Sequence, residues 1–184
     1  VKWSGNVKAN SINNTTICLT DFMATCSDLL KTNLQNNAGQ DSYSLLPLLT
    51  QSKKTAYQRT STVHHSIDGY FAIRKGDWKL AICRGSGGWS APTENQAAKN
   101  NLPAVQLYNL KEDPSEQNIV YAKYPEMVRT LTEELEKSYL NNLSKLAMSG
   151  KVSADERQAL ISLSAEYKKY KEAMNLAMDN LQSS

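Results

Sequence analysis

The segment from Ser61 to Cys83 constrains this chain more than any other. Asp68-Gly69 separates one β-prone run from Tyr70-Phe71-Ala72-Ile73-Arg74, and Gly76-Asp77 separates that from Trp78-Lys79-Leu80-Ala81-Ile82. Tight turns of this composition, flanked by alternating apolar residues, join antiparallel strands. The segment therefore reads as a three-stranded antiparallel meander. Side chains alternate across a strand, so Phe71 and Ile73 share one side of theirs and Trp78, Leu80 and Ile82 one side of the next; these are expected to form the core face.

The flanking sequence extends this unit. Val105-Gln106-Leu107-Tyr108-Asn109-Leu110 is a candidate fourth strand. Asp113-Pro114-Ser115-Glu116 reads as a helix start, with Asp113 as N-cap and Glu116 placed as in a capping box. Pro125 opens a helix on which Val128, Leu131, Leu135, Tyr139, Leu143 and Leu146 form an apolar stripe, ended by Gly150. A further helix begins at Ser153, where Leu160, Leu163, Tyr167, Tyr170, Met174, Ala177 and Leu181 follow a three-four alternation; it either folds back as a hairpin or associates with a second copy through that seam. On the N-terminal side, Val1 to Ala9 suit a short extended segment, residues 21–31 a helix carrying Phe22, Met23, Cys26, Leu29 and Leu30, and Leu45-Leu46-Pro47-Leu48-Leu49 a small apolar plug.

Composition narrows the classes. At 184 residues and 40% hydrophobic, the chain can bury a core. No run reaches the roughly 18 apolar residues of a membrane-spanning helix, and Val1-Lys2-Trp3-Ser4-Gly5 has neither an initiator Met nor a signal-peptide core, so the chain is expected to begin inside a longer protein. The 21 basic and 18 acidic residues are interspersed, without a basic aromatic stripe, which argues against nucleic acid. Cys18, Cys26 and Cys83 lack CxxC spacing and read as small buried hydrophobes instead of disulfide or zinc ligands.

Four strings, taken in order, carry a resemblance: Leu19-Thr20-Asp21-Phe22-Met23-Ala24-Thr25, Asp41 through Leu49, Ala72-Ile73-Arg74-Lys75-Gly76-Asp77-Trp78-Lys79-Leu80, and Leu107-Tyr108-Asn109-Leu110 through Glu116. Together they resemble the C-terminal half of the arylsulfatase family, the formylglycine-dependent sulfatases of the alkaline-phosphatase-like superfamily. That resemblance implies an α+β fold in which a four-stranded antiparallel sheet packs against a C-terminal helix. Residues 1–50 would be a remnant of the large α/β domain, with Val1 to Val7 a strand of it, 51–148 the C-terminal subdomain, and 149–184 an extra heptad-patterned helix.

The family's chemistry implies a formylglycine made from a Cys/Ser-x-Pro/Ala-x-Arg motif and a bound calcium ion. No such motif occurs in this sequence, so no catalytic or metal-binding residue is assigned, and the nucleophile and calcium carboxylates are expected in a missing N-terminal domain. What the smaller domain can lend is a wall of the substrate pocket. His64 and His65 are the candidates on the first strand, only one of them able to face the pocket with ease, while a surface or packed-strand role is the other reading. Cys83 to Leu102 reads as a loop of about twenty residues, longer than most and so functional or mobile, in which Arg84 is placed to meet an anion and Trp89 to stack on a sugar or aryl ring. Arg74, Lys75 and Lys79 admit two readings, an anion site or alternating charge on an exposed sheet face, and the second is preferred, so they are assigned no site role.

The expected function is thus that of a sulfatase C-terminal fragment, inactive alone, whose parent hydrolyses a carbohydrate or aryl sulfate in the periplasm or outside a bacterial cell. The alternative is a non-catalytic binding or assembly protein, with the sheet as scaffold and the C-terminal helix recruiting partners. Neither nucleic acid nor membrane is expected as a partner.

Overall fold

The computed structural model describes residues 1–35, 38–51 and 56–148, together with Ser162, Lys168, Lys169, Glu172, Leu176 and Asp179, which are all helical. The rest of the heptad-patterned helix expected at 149–184 lies outside the described residues. Contacts divide the chain into two compact units, Val1–Thr62 and Val63–Ser184.

In the first unit, helix α1 spans Asp21–Leu30 and helix α2 spans Leu46–Leu49, with Pro47 in its first turn. Lys31 ends α1 in the left-handed region at φ 53°, and the amides of Lys31 and Thr32 return to the carbonyls of Asp28 and Ser27. The extended segment expected from Val1 is instead a turn. Gly5 takes φ 80°, and the amides of Asn6 and Val7 both donate to the Trp3 carbonyl, at 3.1 and 2.9 Å. Backbone groups without a neighbouring strand find local partners. The first unit extends to Thr62, with Tyr57 and Arg59 reaching back to Asp21.

The second unit holds the meander. Strands β1 (Thr62–His65), β2 (Phe71–Lys75), β3 (Trp78–Ala81) and β4 (Gln106–Asn109) lie in the order β1-β2-β3-β4. β2 and β3 are antiparallel with Arg74 opposite Lys79 and Ile73 opposite Leu80, and β3 meets β4 antiparallel with Leu80 opposite Leu107. Gly76, at φ 56°, opens the two-residue β2–β3 turn, where a side chain would be strained.

One face of the sheet is covered by helix α4, Pro125–Met148. Ile73, Leu80, Ile82 and Leu107 pack there against Val128, Leu131 and Leu135, all buried, with Phe71 and Trp78 half-buried at the margin. The Phe71 ring meets Tyr139 edge-on at 6.0 Å. This is the expected α+β arrangement, in which Val128, Leu131 and Leu135 of α4 complement the sheet's apolar face.

Two expectations about the connections fail. Asp113 starts no helix: its carboxylate accepts from the Asn118 amide at 2.7 Å, and Glu116 sits at φ 56°, which a right-handed helix excludes. Conversely, the segment after Cys83 is not plain loop. It contains helix α3, Glu94–Lys99, started by a capping box between Thr93 and Gln96. No helix among the described residues is long and apolar enough to cross a membrane.

Candidate functional site

Alternation along the strands gives the sheet a second face, away from α4. His64 of β1, Ala72 and Arg74 of β2, and Lys79 and Ala81 of β3 fall on it, and all of them line a cavity of about 340 Å³. Ser86 and Gly87 close one side, Tyr70 and Cys83 belong to the wall, and Leu110 and Glu116 complete it. His65 also contributes to the wall, but its imidazole rests on the Phe71 ring, with centroids 4.6 Å apart. By position it belongs with Val63, which packs on the core, so His64 is the histidine on the open face.

The charges in this cavity are arranged. Lys79 Nζ donates to both carboxylate oxygens of Glu116, at 2.8 and 2.7 Å. Arg74 stands directly opposite Lys79 in the ladder and makes one long contact, Nε to the Gly76 carbonyl at 3.4 Å. Lys75, one residue on, is turned to the helix side and pairs with Glu134 of α4. Tyr108, opposite Lys79 on β4, is buried, and its hydroxyl donates to Gln106. Burial, reinforced by the negative charge of Glu116, pushes the Tyr108 phenol up to about 12.

The long connection is pinned beside the cavity. The Glu94 carboxylate accepts from the amides of Arg84 (3.0 Å) and Gly85 (2.8 Å), Gln106 Nε2 donates to the carbonyls of Cys83 and Gly85, and the Ser86 amide donates to Pro92. Arg84 and Trp89 are not brought to the cavity. The Arg84 guanidinium donates to the Leu102 carbonyl, which commits it to holding the loop, and Trp89 is 90% exposed and forms none of the cavity wall. Cys83 is buried with its thiol pushed up to about 11, by burial first and the Glu94 charge second, whereas Cys26 is exposed, against the expectation of a buried hydrophobe.

Sequence reasoning placed Arg74 and Lys79 on the exposed face but missed that this face is concave. One signal was available: counting outward from Gly76-Asp77, Lys75 must oppose Trp78 and Arg74 must oppose Lys79, so two cations face each other across the ladder. Like charges in that position repel, which favours a carboxylate nearby. Its identity, Glu116, depends on a turn that sequence patterning read as a helix.

The first unit carries a separate polar cluster around Asp21, which has no exposed surface. It accepts from the amides of Cys18 (2.9 Å) and Tyr43 (3.0 Å), from Tyr57 Oη (2.6 Å) and from Arg59 (2.6 and 3.1 Å). Burial opposes its ionisation, yet the bonds from Arg59, Tyr57 and the two amides outweigh it and hold the carboxyl at about 2. Every partner is internal to this unit, so the cluster is a structural tie between α1 and residues 57–59. Among the described residues no group of three or more His, Cys, Asp or Glu side chains is placed to hold a metal ion, and Glu116, the carboxylate of the cavity, is engaged with Lys79. That donor set does not fit calcium, which takes about six to eight oxygens.

No family model matches the chain. A curated N-acetylgalactosamine-6-O-sulfatase of Bacteroides thetaiotaomicron is 33% identical over 136 residues, covering 74% of this chain and 26% of that protein. The chain thus spans about a quarter of the length of that relative. Among solved structures, one from work on the metabolism of multiple glycosaminoglycans by the same organism aligns at 32% identity and TM-score 0.49, over 64% of this chain and 24% of that one. Another, a complex with D-glucosamine-2-N,6-O-disulfate, aligns at 23% identity and TM-score 0.46, over 64% and 23%. The 33% identity across most of the chain, with the ordered strings that resemble arylsulfatases, identifies it as a C-terminal portion of a sulfatase.

Proposed function

We propose that this chain supplies one wall of a sulfatase substrate pocket, and that the wall is the open face of its four-stranded sheet, where a sulfated sugar is held by Arg74 with His64 and the Lys79–Glu116 pair beside it. The observation that carries this reading is the 340 Å³ cavity with Arg74 and Lys79 on its floor. Guanidinium groups match the oxygen geometry of sulfate as they do that of phosphate, and hydroxyls of a pyranose suit an adjacent ion pair. The sulfated N-acetylgalactosamine named for the relative is the first ligand to test.

In this reading the hydrolytic step, addition of water across the sulfate ester to release sulfate and an alcohol, belongs to an N-terminal sulfatase domain, which is the chain's partner. The formylglycine and the calcium ion would lie in that domain, since this sequence has no Cys/Ser-x-Pro/Ala-x-Arg string and its described residues do not fit calcium. The chain alone binds sugar and turns nothing over. The parent enzyme works in the periplasm or outside the cell, where sulfated glycans are met.

Isothermal titration at low salt tests this. The chain is expected to bind N-acetylgalactosamine 6-sulfate and not N-acetylgalactosamine, Arg74→Ala is expected to abolish the difference, and p-nitrophenyl sulfate with calcium is expected to remain intact. Equal affinity for the sulfated and unsulfated sugars rejects the pocket reading, and turnover above background rejects the division of labour. The assembly reading gains instead if the chain binds neither sugar and forms a defined oligomer lost on removing residues 149–184.

A further inference from the structure

Charge in the cavity is balanced in a way that a binding wall for sulfate does not by itself require. Arg74 and Lys79 are directly opposed across β2 and β3, on the open face, and both border the same space. If both were uncommitted they would present a doubly positive floor suited to two anionic groups. Glu116 prevents that. It reaches Lys79 from the turn after β4, gripping the ammonium with both oxygens, and does so from a backbone conformation at φ 56° that non-glycine residues rarely adopt. Such strain is of order 1–3 kcal/mol and persists where the surroundings enforce it. Asp113, which starts the turn, is itself engaged with the Asn118 amide, so Glu116 is the carboxylate that meets the cavity.

We propose that Glu116 sets the ligand charge of the cavity: by neutralising Lys79 it leaves Arg74 as the uncompensated cation among the described residues that line it, so that the site favours a sugar with one sulfate over one with two. The Lys79–Glu116 pair then offers both a donor and an acceptor to sugar hydroxyls, while a second sulfate near it meets the Glu116 carboxylate. Discrimination comes from the repulsive group as much as from the attractive one. The inference rests on the reading of the cavity as a sulfated-sugar wall, and the experiment separates the two.

The test is titration of the full chain, at fixed low ionic strength, with N-acetylgalactosamine 6-sulfate and N-acetylgalactosamine 4,6-disulfate. The native chain is expected to bind the monosulfate more tightly than the disulfate. Glu116→Gln, which keeps the side-chain shape and releases Lys79, is expected to raise the disulfate-to-monosulfate affinity ratio by about tenfold, the effect of one added charge in a partly screened site. The double variant Lys79→Met with Glu116→Gln restores the single cation and is expected to return the ratio to the native value. A purely structural role for Glu116 would lower the melting midpoint and leave the ratio unmoved, and that result overturns the proposal. So does a native chain that already prefers the disulfate. If the native chain binds neither sulfate, the cavity reading falls and takes this inference with it; if it binds both and Glu116→Gln changes nothing, this inference alone falls.

Discussion

A carboxylate without exposed surface must be matched bond for bond, and Asp21 has five hydrogen bonds from four residues. Arg59, whose side chain is 6% exposed, depends on it in turn. Replacing Asp21 by Asn leaves a buried guanidinium without its counter-charge, for which a cost of about 3–5 kcal/mol is expected. The checks are the urea midpoint and faster hydrogen exchange at the amides of Cys18 and Tyr43. Acid should act on the same tie. The folded carboxyl titrates at about 2, below its ordinary value, so the unfolded chain takes up the proton first as pH falls. The stability that Asp21 contributes is complete above roughly pH 4 and is lost as pH drops from there through about 2. In Asp21→Asn that part of the acid sensitivity should vanish. Nothing in the sequence around Leu19-Thr20-Asp21-Phe22 distinguishes this buried acid from an ordinary helix-start aspartate, because its partners Tyr57 and Arg59 are remote in the chain.

The connection between β3 and β4 is where element-level structure was hardest to read. The strands declared themselves through period-two alternation and the glycine turns at Asp68-Gly69 and Gly76-Asp77, and α4 through its three-four stripe, because both signals are local and repeated. Helix α3 is short, with six residues, and is set among glycine, serine and proline; its one clear signal was Thr93 followed by Gln96. The same spacing at Asp113 and Glu116 gave a turn instead, because Glu116 is drawn to Lys79, a pairing no local pattern reports. The candidate site was legible to the same degree: His64 stands out at a strand end, whereas a charged strand residue such as Arg74 reads alike whether its face meets solvent or a cavity. Thr93→Ala is expected to lower stability by about 1 kcal/mol through loss of the cap. Gly85→Ala should cost more, since the added methyl would lie 2.6 Å from the Pro92 carbonyl oxygen, and the backbone there is fixed by Glu94 and Gln106. Thermal unfolding of the two variants ranks them, and an order of Thr93→Ala below Gly85→Ala would contradict this account of the loop.

At the scale of the whole molecule, the first unit has too little mass to bury its own apolar residues. Phe22, Met23 and Leu29 of α1 are nearly half exposed and Leu30 more so, while Asp21, Thr25 and Ser27 are the buried side of that helix. The stripe that predicted the helix therefore faces outward. Next to it, Trp3, Ile17, Phe22, Leu29, Leu45 and Leu48 line an apolar cavity of about 370 Å³. Contiguous apolar surface of this kind drives association at about 25 cal/mol per Å² removed from water. The chain in isolation is expected to bind a hydrophobic dye and to elute from gel filtration ahead of a 20.5 kDa monomer, increasingly so at higher concentration. The paired substitution Phe22→Ser and Leu30→Ser should reverse both effects without disturbing the sheet unit, because neither side chain belongs to its core. Truncation after residue 148 provides the contrast. If the C-terminal helix were the seat of association, as its heptad pattern allows, truncation would give the monomer and the serine pair would not. The exposed face of α1 requires the opposite result, and a monomer from the truncated chain alone would move the interface to the tail.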